Sequence, residues 1–173
     1  ISGKKVEIKN EEEAIKISKE IQKETYKVES ISTSEKETQP RAPFTTSTLQ
    51  QEASQKINFT TKKTMMIAQQ LYEGVKLKKE TLGLITYIRT DSTRISDEAF
   101  VETNELIQEK YGKEYLPSKR IVYKNKSQSQ DSHEAIRPSS VKITPESIKE
   151  YLSKDQYKLY KLIWQRMVAS QMA

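Results

Sequence analysis

Two prolines, Pro40 and Pro43, divide this chain into stretches with different sequence patterns. Each proline fixes its own φ angle and disfavours helix at the residue before it. One continuous helix or strand therefore cannot run through this point, and we place a domain boundary near residue 46. The pattern predicts a small domain over residues 1–46 and a larger one over residues 47–173.

The first stretch predicts a strand, a helix and a second strand. Residues 4–9 alternate apolar and polar positions, Asn10 precedes three glutamates in the manner of a helix start, and residues 26–31 alternate again. We expect the helix to end near residue 24. A unit this small is close to the size at which a lone core becomes marginal, so we expect it to need a packing partner.

The second stretch predicts mainly helices. Capping residues followed by apolar residues at helical spacing recur at the following positions: Ser47, Thr60 or Thr61, Ser96, Thr144 and Ser153. Residues 84–88 predict a short strand, and a brief helix is expected from His133 to Ile136, stopping at Pro138. The first two helices have helix-turn-helix spacing, which is also that of an ordinary helical hairpin. The predicted fold class is α+β, mainly α.

Composition excludes several kinds of site. The chain has no cysteine and one histidine, His133, so it cannot contain a disulfide, a thiol nucleophile or a cysteine-ligated zinc. No Asp-x-Asp pair or tight carboxylate cluster offers the oxygen ligands that magnesium prefers. No apolar run approaches the roughly 20 residues of a membrane span. We predict a soluble, cytoplasmic protein that holds no metal in these residues.

The positive charge is concentrated in the second stretch. Residues 1–46 carry 9 basic and 9 acidic side chains, whereas residues 47–173 carry 21 and 15. Within the latter, residues 110–142 hold 8 basic and 3 acidic side chains. Such a surplus favours approach to a polyanion such as nucleic acid. A solvated lysine-rich surface is the alternative interpretation of the same pattern.

Residues 83–94 contain the densest cluster of reactive side chains: Gly-Leu-Ile-Thr-Tyr-Ile-Arg-Thr-Asp-Ser-Thr-Arg. In an extended run, Tyr87, Arg89 and Asp91 point to the same side, because side chains alternate with period two. A guanidinium beside a phenol favours the phenolate, and it can also fork two hydrogen bonds onto a phosphate. The pattern fits a nucleophile facing a phosphate. It also fits a surface network of cross-strand contacts.

A second cluster, residues 130–138, contains the only histidine: Gln-Asp-Ser-His-Glu-Ala-Ile-Arg-Pro. If this segment is helical, Arg137 lies one turn after His133 on the same face. A histidine beside an arginine suits a phosphate better than a core. A lone histidine with a structural role is the alternative.

These two clusters, together with residues 41–53 and 63–72, resemble the type IA DNA topoisomerases. Residues 83–94 look like the active-tyrosine motif of that family, and residues 130–138 look like its second signature. Residues 41–53 and 63–72 match the bacterial topoisomerase I branch. Ser132 and Ser139 depart from the expected Ala and Thr, which are small exchanges.

The resemblance implies a role for each matching residue. Tyr87 would attack one DNA strand and keep its 5′-phosphate as a phosphotyrosine ester, so that negative supercoils relax without ATP. Arg89 would position the scissile phosphate and stabilise charge in the transition state. Asp91 would take part in resealing and metal response, and His133 would contact the phosphate. DNA contacts are expected at the following residues: Thr90, Ser92, Arg94 and Arg137, the last being either a phosphate contact or a structural one.

The resemblance also implies what these residues lack. In the family, magnesium and a catalytic glutamate belong to a Toprim domain, and many members add cysteine-rich zinc modules. We therefore expect the chain alone to be inactive, with the Toprim domain and single-stranded DNA as its partners. Residues 1–46 would be part of the arch-like gate domain, and residues 47–173 a domain resembling catabolite-activator-like helix-turn-helix proteins.

Three alternatives remain from sequence. A reverse gyrase or topoisomerase III fragment would have Pro or His where Ile88 stands. A tyrosine recombinase shares the nucleophile, but its arginine and histidine spacing does not occur here, and it would form a 3′-phosphotyrosine. A structural DNA-binding module would form no covalent adduct.

Overall fold

The computed structural model describes four ranges of the chain: 7–36, 38–78, 80–123 and 133–173. The chain divides into two compact units, Ile1–Glu37 and Thr38–Ala173. This division precedes the boundary predicted near residue 46, because Phe44 is fully buried in the core of the second unit. In the described ranges, no helix combines the length and the apolar character that a bilayer crossing requires.

The described part of the first unit has one helix, α1 (Glu11–Ile21), with no buried residue. Asn10 caps it by accepting a hydrogen bond from the Glu13 amide at 2.8 Å. The strand predicted over residues 26–31 is wrong: residues 22–36 form no strand, and the side chain of Ile31 is 86% exposed. A strand needs a neighbour to receive its backbone hydrogen bonds, and the described residues of this unit supply none. The predicted strand at residues 4–9 lies partly outside the described residues.

The second unit contains four α-helices in its described part: α2 (Thr46–Ile57), α3 (Thr61–Glu73), α4 (Asp97–Lys110) and α5 (Lys154–Ser170). The residues that cap these four helices lie within two positions of the capping residues predicted from the sequence. Thr60, Ser96 and Ser153 each accept a hydrogen bond from a first-turn amide, as predicted. The first cap is Thr45 rather than Ser47, because Thr45 and Thr48 form the reciprocal capping box.

Among the described residues, the sheet lies in the second unit, whereas the fold-class prediction placed the β-structure in the first. Strands β1 (Val75–Lys76) and β2 (Thr81–Leu82) pair antiparallel, with Val75 opposite Leu82. Residues 84–88, predicted as a strand, form only an isolated bridge at Ile85. The helix predicted from Thr144 is also wrong, since this region forms turns and a 3₁₀ turn at Lys149–Tyr151. The described part is mainly helical with this one two-stranded sheet.

Helix α5 lies at the centre of the core of the second unit. Its fully buried side chains include Leu159, Tyr160 and Ile163, and they pack with the apolar faces of α2 and α3. Burying a side chain of this size contributes about 1.5–3 kcal/mol. Trp164 packs there too, and its indole N–H donates to the Val141 carbonyl at 2.8 Å. Helix α5 therefore fixes the frame on which the connecting loops are held.

A buried carboxylate, Glu52 of α2, joins this helix to α5. Its side chain is 6% exposed, accepts hydrogen bonds from Arg166 and pairs with Lys56 at 2.7 Å. Arg166 also donates to the Ala42 carbonyl at 3.1 Å and lies over the Phe44 ring. Burial alone would raise the pKa of Glu52, but the hydrogen bonds and charges of Lys56 and Arg166 outweigh it and lower the pKa. The cluster ties α5 to the segment after Pro43.

We expect Glu52→Gln to destabilise the chain by about 3 kcal/mol, because it leaves Arg166 without a countercharge. Since folding lowers the pKa of Glu52, the stabilisation is present above the ordinary carboxyl value of 4.5 and is lost as the pH falls through the lower folded value. Urea unfolding at pH 7 and at pH 3 measures both effects. The difference between wild type and variant should shrink at pH 3.

The matched control is Glu105→Gln, which removes an exposed ion pair to Lys142. It should change stability by less than about 1 kcal/mol at either pH. Equal losses in the two variants would contradict a special role for Glu52.

Candidate active site

Three segments that are far apart in sequence meet beside Tyr87. Residues 84–86 pair with residues 137–139: the Ser139 amide donates to the Leu84 carbonyl and the Thr86 amide to the Arg137 carbonyl, both at 2.9 Å. Ile136 bridges to Phe44 on the other side, with its amide 2.7 Å from the Phe44 carbonyl. These segments belong to three of the four stretches that carry the sequence resemblance: residues 41–53, 83–94 and 130–138. The fold therefore brings the tyrosine motif and the histidine motif side by side.

Two threonine hydroxyls fix this junction. The Thr86 hydroxyl donates to the Ala135 carbonyl at 2.7 Å and accepts from the Arg137 amide at 3.0 Å. The Thr46 hydroxyl donates to the Ile88 carbonyl at 2.7 Å and accepts from the Thr90 amide at 2.9 Å. Each hydroxyl thus serves as donor and acceptor across two segments. Together they hold both ends of the tyrosine segment.

Exposure alternates along the tyrosine segment. Ile88, Thr90 and Ser92 are buried, whereas Tyr87, Arg89 and Asp91 are exposed. The period of two is the one expected of extended backbone, although a bend at residues 88–89 replaces a regular strand. The three side chains predicted to share one side are therefore all open to solvent. Among the described residues, Arg89 and Asp91 have no ion pair.

Tyr87 lies between two other rings. The centroids of Tyr87 and His133 are 6.1 Å apart with their planes tilted by 30°. Tyr72, in the last turn of α3, meets Tyr87 edge-on with centroids 5.6 Å apart. The Tyr87 side chain is 43% exposed. The structure thus brings together two residues of the predicted site, Tyr87 and His133, and adds a third ring from α3.

Arg137 is held within the junction. Its guanidinium pairs with Glu134 at 2.5 Å and donates to the Pro138 carbonyl at 2.9 Å, and its side chain is 12% exposed. This geometry favours the structural role over the phosphate contact. Residues 133–138 are extended, so the predicted helix there is wrong. Their backbone groups bond to neighbouring segments instead, and Arg137 does not lie one helical turn from His133.

Thr90 and Ser92 use their hydroxyls inside the loop. The Thr90 hydroxyl accepts from the Ser92 amide at 3.0 Å, and the Ser92 hydroxyl accepts from the Arg94 amide at 3.1 Å. Both side chains are buried, whereas Arg94 is exposed. DNA contact by Thr90 and Ser92 stays a prediction, and in this structure both shape the turn that carries Asp91. Gln130, Asp131 and Ser132 of the second motif lie outside the described residues.

Comparison with known proteins identifies the family. The family model described as DNA topoisomerase matches residues 2–173. The chain belongs to the DNA topoisomerase family. It is 49% identical over 170 residues to DNA topoisomerase 1 of Rickettsia prowazekii, covering 98% of this chain and 22% of that protein. It also matches the structure of full-length topoisomerase I from Thermotoga maritima, with 53% identity, a TM-score of 0.68, 78% of this chain covered and 21% of that one.

The chain thus spans about a fifth of the length of these topoisomerases. The magnesium that the resemblance implies needs several carboxylates at one place. In the ranges described, no three His, Cys, Asp or Glu side chains come together in a way that could hold a metal ion. The described residues therefore do not fit a magnesium site.

Sequence reasoning missed three residues of this candidate site. Thr46 and Thr86 look like ordinary polar positions, because the carbonyls and amides that they bond belong to distant segments. Tyr72 lies in the last turn of α3, next to the buried Leu71, and its local pattern indicates no role beyond the family match. The available signal at Thr86 was its place directly after the apolar pair Leu84 and Ile85, since a hydroxyl beside a buried run must find partners.

We expect Thr86→Val to destabilise the chain by about 2 kcal/mol, because it leaves the Ala135 carbonyl and the Arg137 amide without partners. The shape of the side chain is almost unchanged, so packing losses should be small. Urea unfolding measures the stability, and hydrogen exchange should show faster exchange of the Arg137 amide.

Thr81→Val provides the control, since Thr81 is an exposed residue of β2. It should leave stability and the Arg137 amide unchanged. If Thr86→Val also left them unchanged, the hydroxyl would not be fixing the junction.

Proposed function

We propose that the chain is the tyrosine-bearing part of a type IA topoisomerase. The Tyr87 oxygen attacks a DNA phosphorus and forms a phosphotyrosine ester with the 5′-phosphate. The bond from phosphorus to the 3′-oxygen breaks, that oxygen takes up a proton, and the phenol has given one up. The reverse reaction reseals the strand after the other strand has passed. The observation that carries the proposal is the exposure of Tyr87 beside His133, where the sequence motifs meet.

Two cationic or proton-donating groups support this role. Arg89 is exposed on the same side of the segment as Tyr87, and a guanidinium can donate two hydrogen bonds to one phosphate. It would meet the charge that grows on the phosphate oxygens during attack. His133, next to the Tyr87 ring, can donate to another phosphate oxygen. Asp91, also exposed, would take part in resealing, as the resemblance implies.

Further parts of the reaction are proposed to come from outside these residues. A Toprim domain would hold magnesium and the catalytic glutamate, and the gate would open between it and this chain. Residues 1–46 would belong to the arch of that gate. The larger unit would have a fold like that of catabolite-activator-like helix-turn-helix proteins, which its paired helices α2 and α3 support. The complete enzyme would act on chromosomal DNA in the bacterial cytoplasm.

We expect the complete enzyme to form a covalent adduct with single-stranded DNA, and Tyr87→Phe to abolish it, since the variant lacks the attacking oxygen. The DNA should carry its label at the 3′ end, because this part stays on the protein through its 5′-phosphate. Denaturing gels after rapid quenching measure the adduct. The chain of 173 residues alone should form none, and adding the Toprim domain in trans should restore it.

Tyr157→Phe is the control for removing a phenolic hydroxyl, since Tyr157 lies on α5 beside Lys161. It should retain full activity. Adduct formation by Tyr87→Phe would overturn the proposal, and label retained from the 5′ end would indicate recombinase polarity instead.

We also expect the chain to bind single-stranded DNA weakly and in a salt-sensitive manner, through the face that carries Tyr87, Arg89 and Arg94. Several basic residues of the predicted 110–142 patch are neutralised, such as Arg120 by Asp97 and Arg137 by Glu134. Arg89 and Arg94 are exposed and have no ion pair among the described residues. Replacing both arginines with alanine should lower the slope of the logarithm of affinity against the logarithm of salt concentration by about 1.4, since each phosphate contact contributes about 0.7. Fluorescence anisotropy measures it.

Lys161→Ala is the control, since Lys161 is already paired with Glu146. Its slope should match the wild type. A slope that stays unchanged in the double variant would place the DNA-binding surface elsewhere.

A further inference from the structure

We propose that Tyr72 is a positioning residue for Tyr87, holding the nucleophile by an aromatic contact. This inference rests on the proposed function of Tyr87. Its starting point is that the Tyr87 side chain is 43% exposed. A half-exposed side chain changes rotamer within nanoseconds, whereas attack requires its oxygen to stay about 3–3.5 Å from phosphorus. Something must restrict the ring before DNA arrives.

The Tyr72 ring is placed to do so. It meets the Tyr87 ring edge-on at a centroid distance of 5.6 Å and an angle of 66°, within the range that aromatic pairs prefer. Together with His133 at 6.1 Å, it gives the Tyr87 ring two aromatic neighbours. The described residues give the Tyr72 hydroxyl no hydrogen-bond partner. The ring, rather than the hydroxyl, therefore makes the contact.

The backbone of Tyr72 is fixed relative to the tyrosine segment. The Leu84 amide donates to the Leu71 carbonyl at 2.8 Å, joining the end of α3 to the start of that segment. Gly83 passes so close that a Cβ there would lie 2.7 Å from the Tyr72 carbonyl oxygen. The Gly83 carbonyl in turn accepts from the Ser139 hydroxyl at 2.7 Å. The Tyr72 ring thus has a rigid base, which a positioning residue needs.

A positioning role for Tyr72 predicts an effect on the rate of attack and none on the affinity for DNA. Tyr72→Leu removes the aromatic edge and keeps an apolar side chain, so cleavage should be about three- to tenfold slower. Tyr72→Phe keeps the edge and should cleave at the wild-type rate. Because the Tyr72 side chain is 39% exposed, neither change should lower the melting temperature by more than a few degrees.

The experiment uses the complete enzyme and single-turnover cleavage of a 3′-labelled oligonucleotide, with DNA affinity measured separately by anisotropy. Tyr157→Leu on α5 is the matched control and should cleave normally. Slow cleavage by Tyr72→Leu with unchanged affinity, together with normal cleavage by Tyr72→Phe, supports the inference.

Three results would overturn it. They are a wild-type rate in Tyr72→Leu, equal slowing in Tyr72→Phe, which would assign the effect to the hydroxyl, and a loss of affinity that accounts for the slowing. Tyr87→Phe is run in parallel to separate the two proposals. If it still forms adduct, the function proposed for Tyr87 fails. If it forms none while Tyr72→Leu is normal, only the positioning role fails.

Discussion

The hydrogen-bonded junction around Thr86 is the interaction on which the candidate site depends. Residues 84–86 and 137–139 exchange backbone hydrogen bonds, and the Thr86 hydroxyl closes the gap to Ala135. The pairing is too short to form a regular sheet, so only a few hydrogen bonds determine its register. A shift by one residue would turn Tyr87 inward and Ile88 outward. The relative position of Tyr87 and His133 follows from this register.

The junction is in turn supported by the helical core. Phe44, which bridges to Ile136, lies under the guanidinium of Arg166, and Arg166 pairs with the buried Glu52. Electrostatics and apolar packing therefore act on the same few residues. A buried ion pair contributes little net stability, but it tolerates few other arrangements of its partners. We interpret Glu52 as the residue that sets how the segment after Pro43 enters the site.

The sequence predicted the helices of the second unit well, because their signals are local. A capping residue and an apolar stripe within one turn sufficed for α3, α4 and α5, which begin after Thr60, Ser96 and Ser153. The failures occurred where partners are distant. Residues 26–31 alternate like a strand but have no neighbouring strand among the described residues. Residues 133–138 pair with two remote segments, and the local helix signal in their sequence cannot predict such pairing.

The candidate site divides in the same way. The alternation from Tyr87 to Asp91 follows from period two, and the structure places these side chains in solvent. The contact of Tyr87 with His133 was implied by the family resemblance alone, since no local rule relates positions so far apart. The contact of Tyr72 with Tyr87 has no local sequence signal, because it depends on the β1–β2 hairpin that folds the chain back onto α3. Only the three-dimensional structure distinguishes Arg89 and Arg94, which have no ion pair among the described residues, from the paired arginines.

The alternating exposure of the tyrosine segment also bears on how such a sequence can vary. Positions 88, 90 and 92 are buried, while positions 87, 89 and 91 face the solvent with the proposed chemistry. One half of the segment is constrained by packing, and the other half would be constrained by the proposed chemistry. We therefore expect substitution to be restricted at all six positions. A stretch of six residues under two independent constraints should accept fewer substitutions than the surrounding surface.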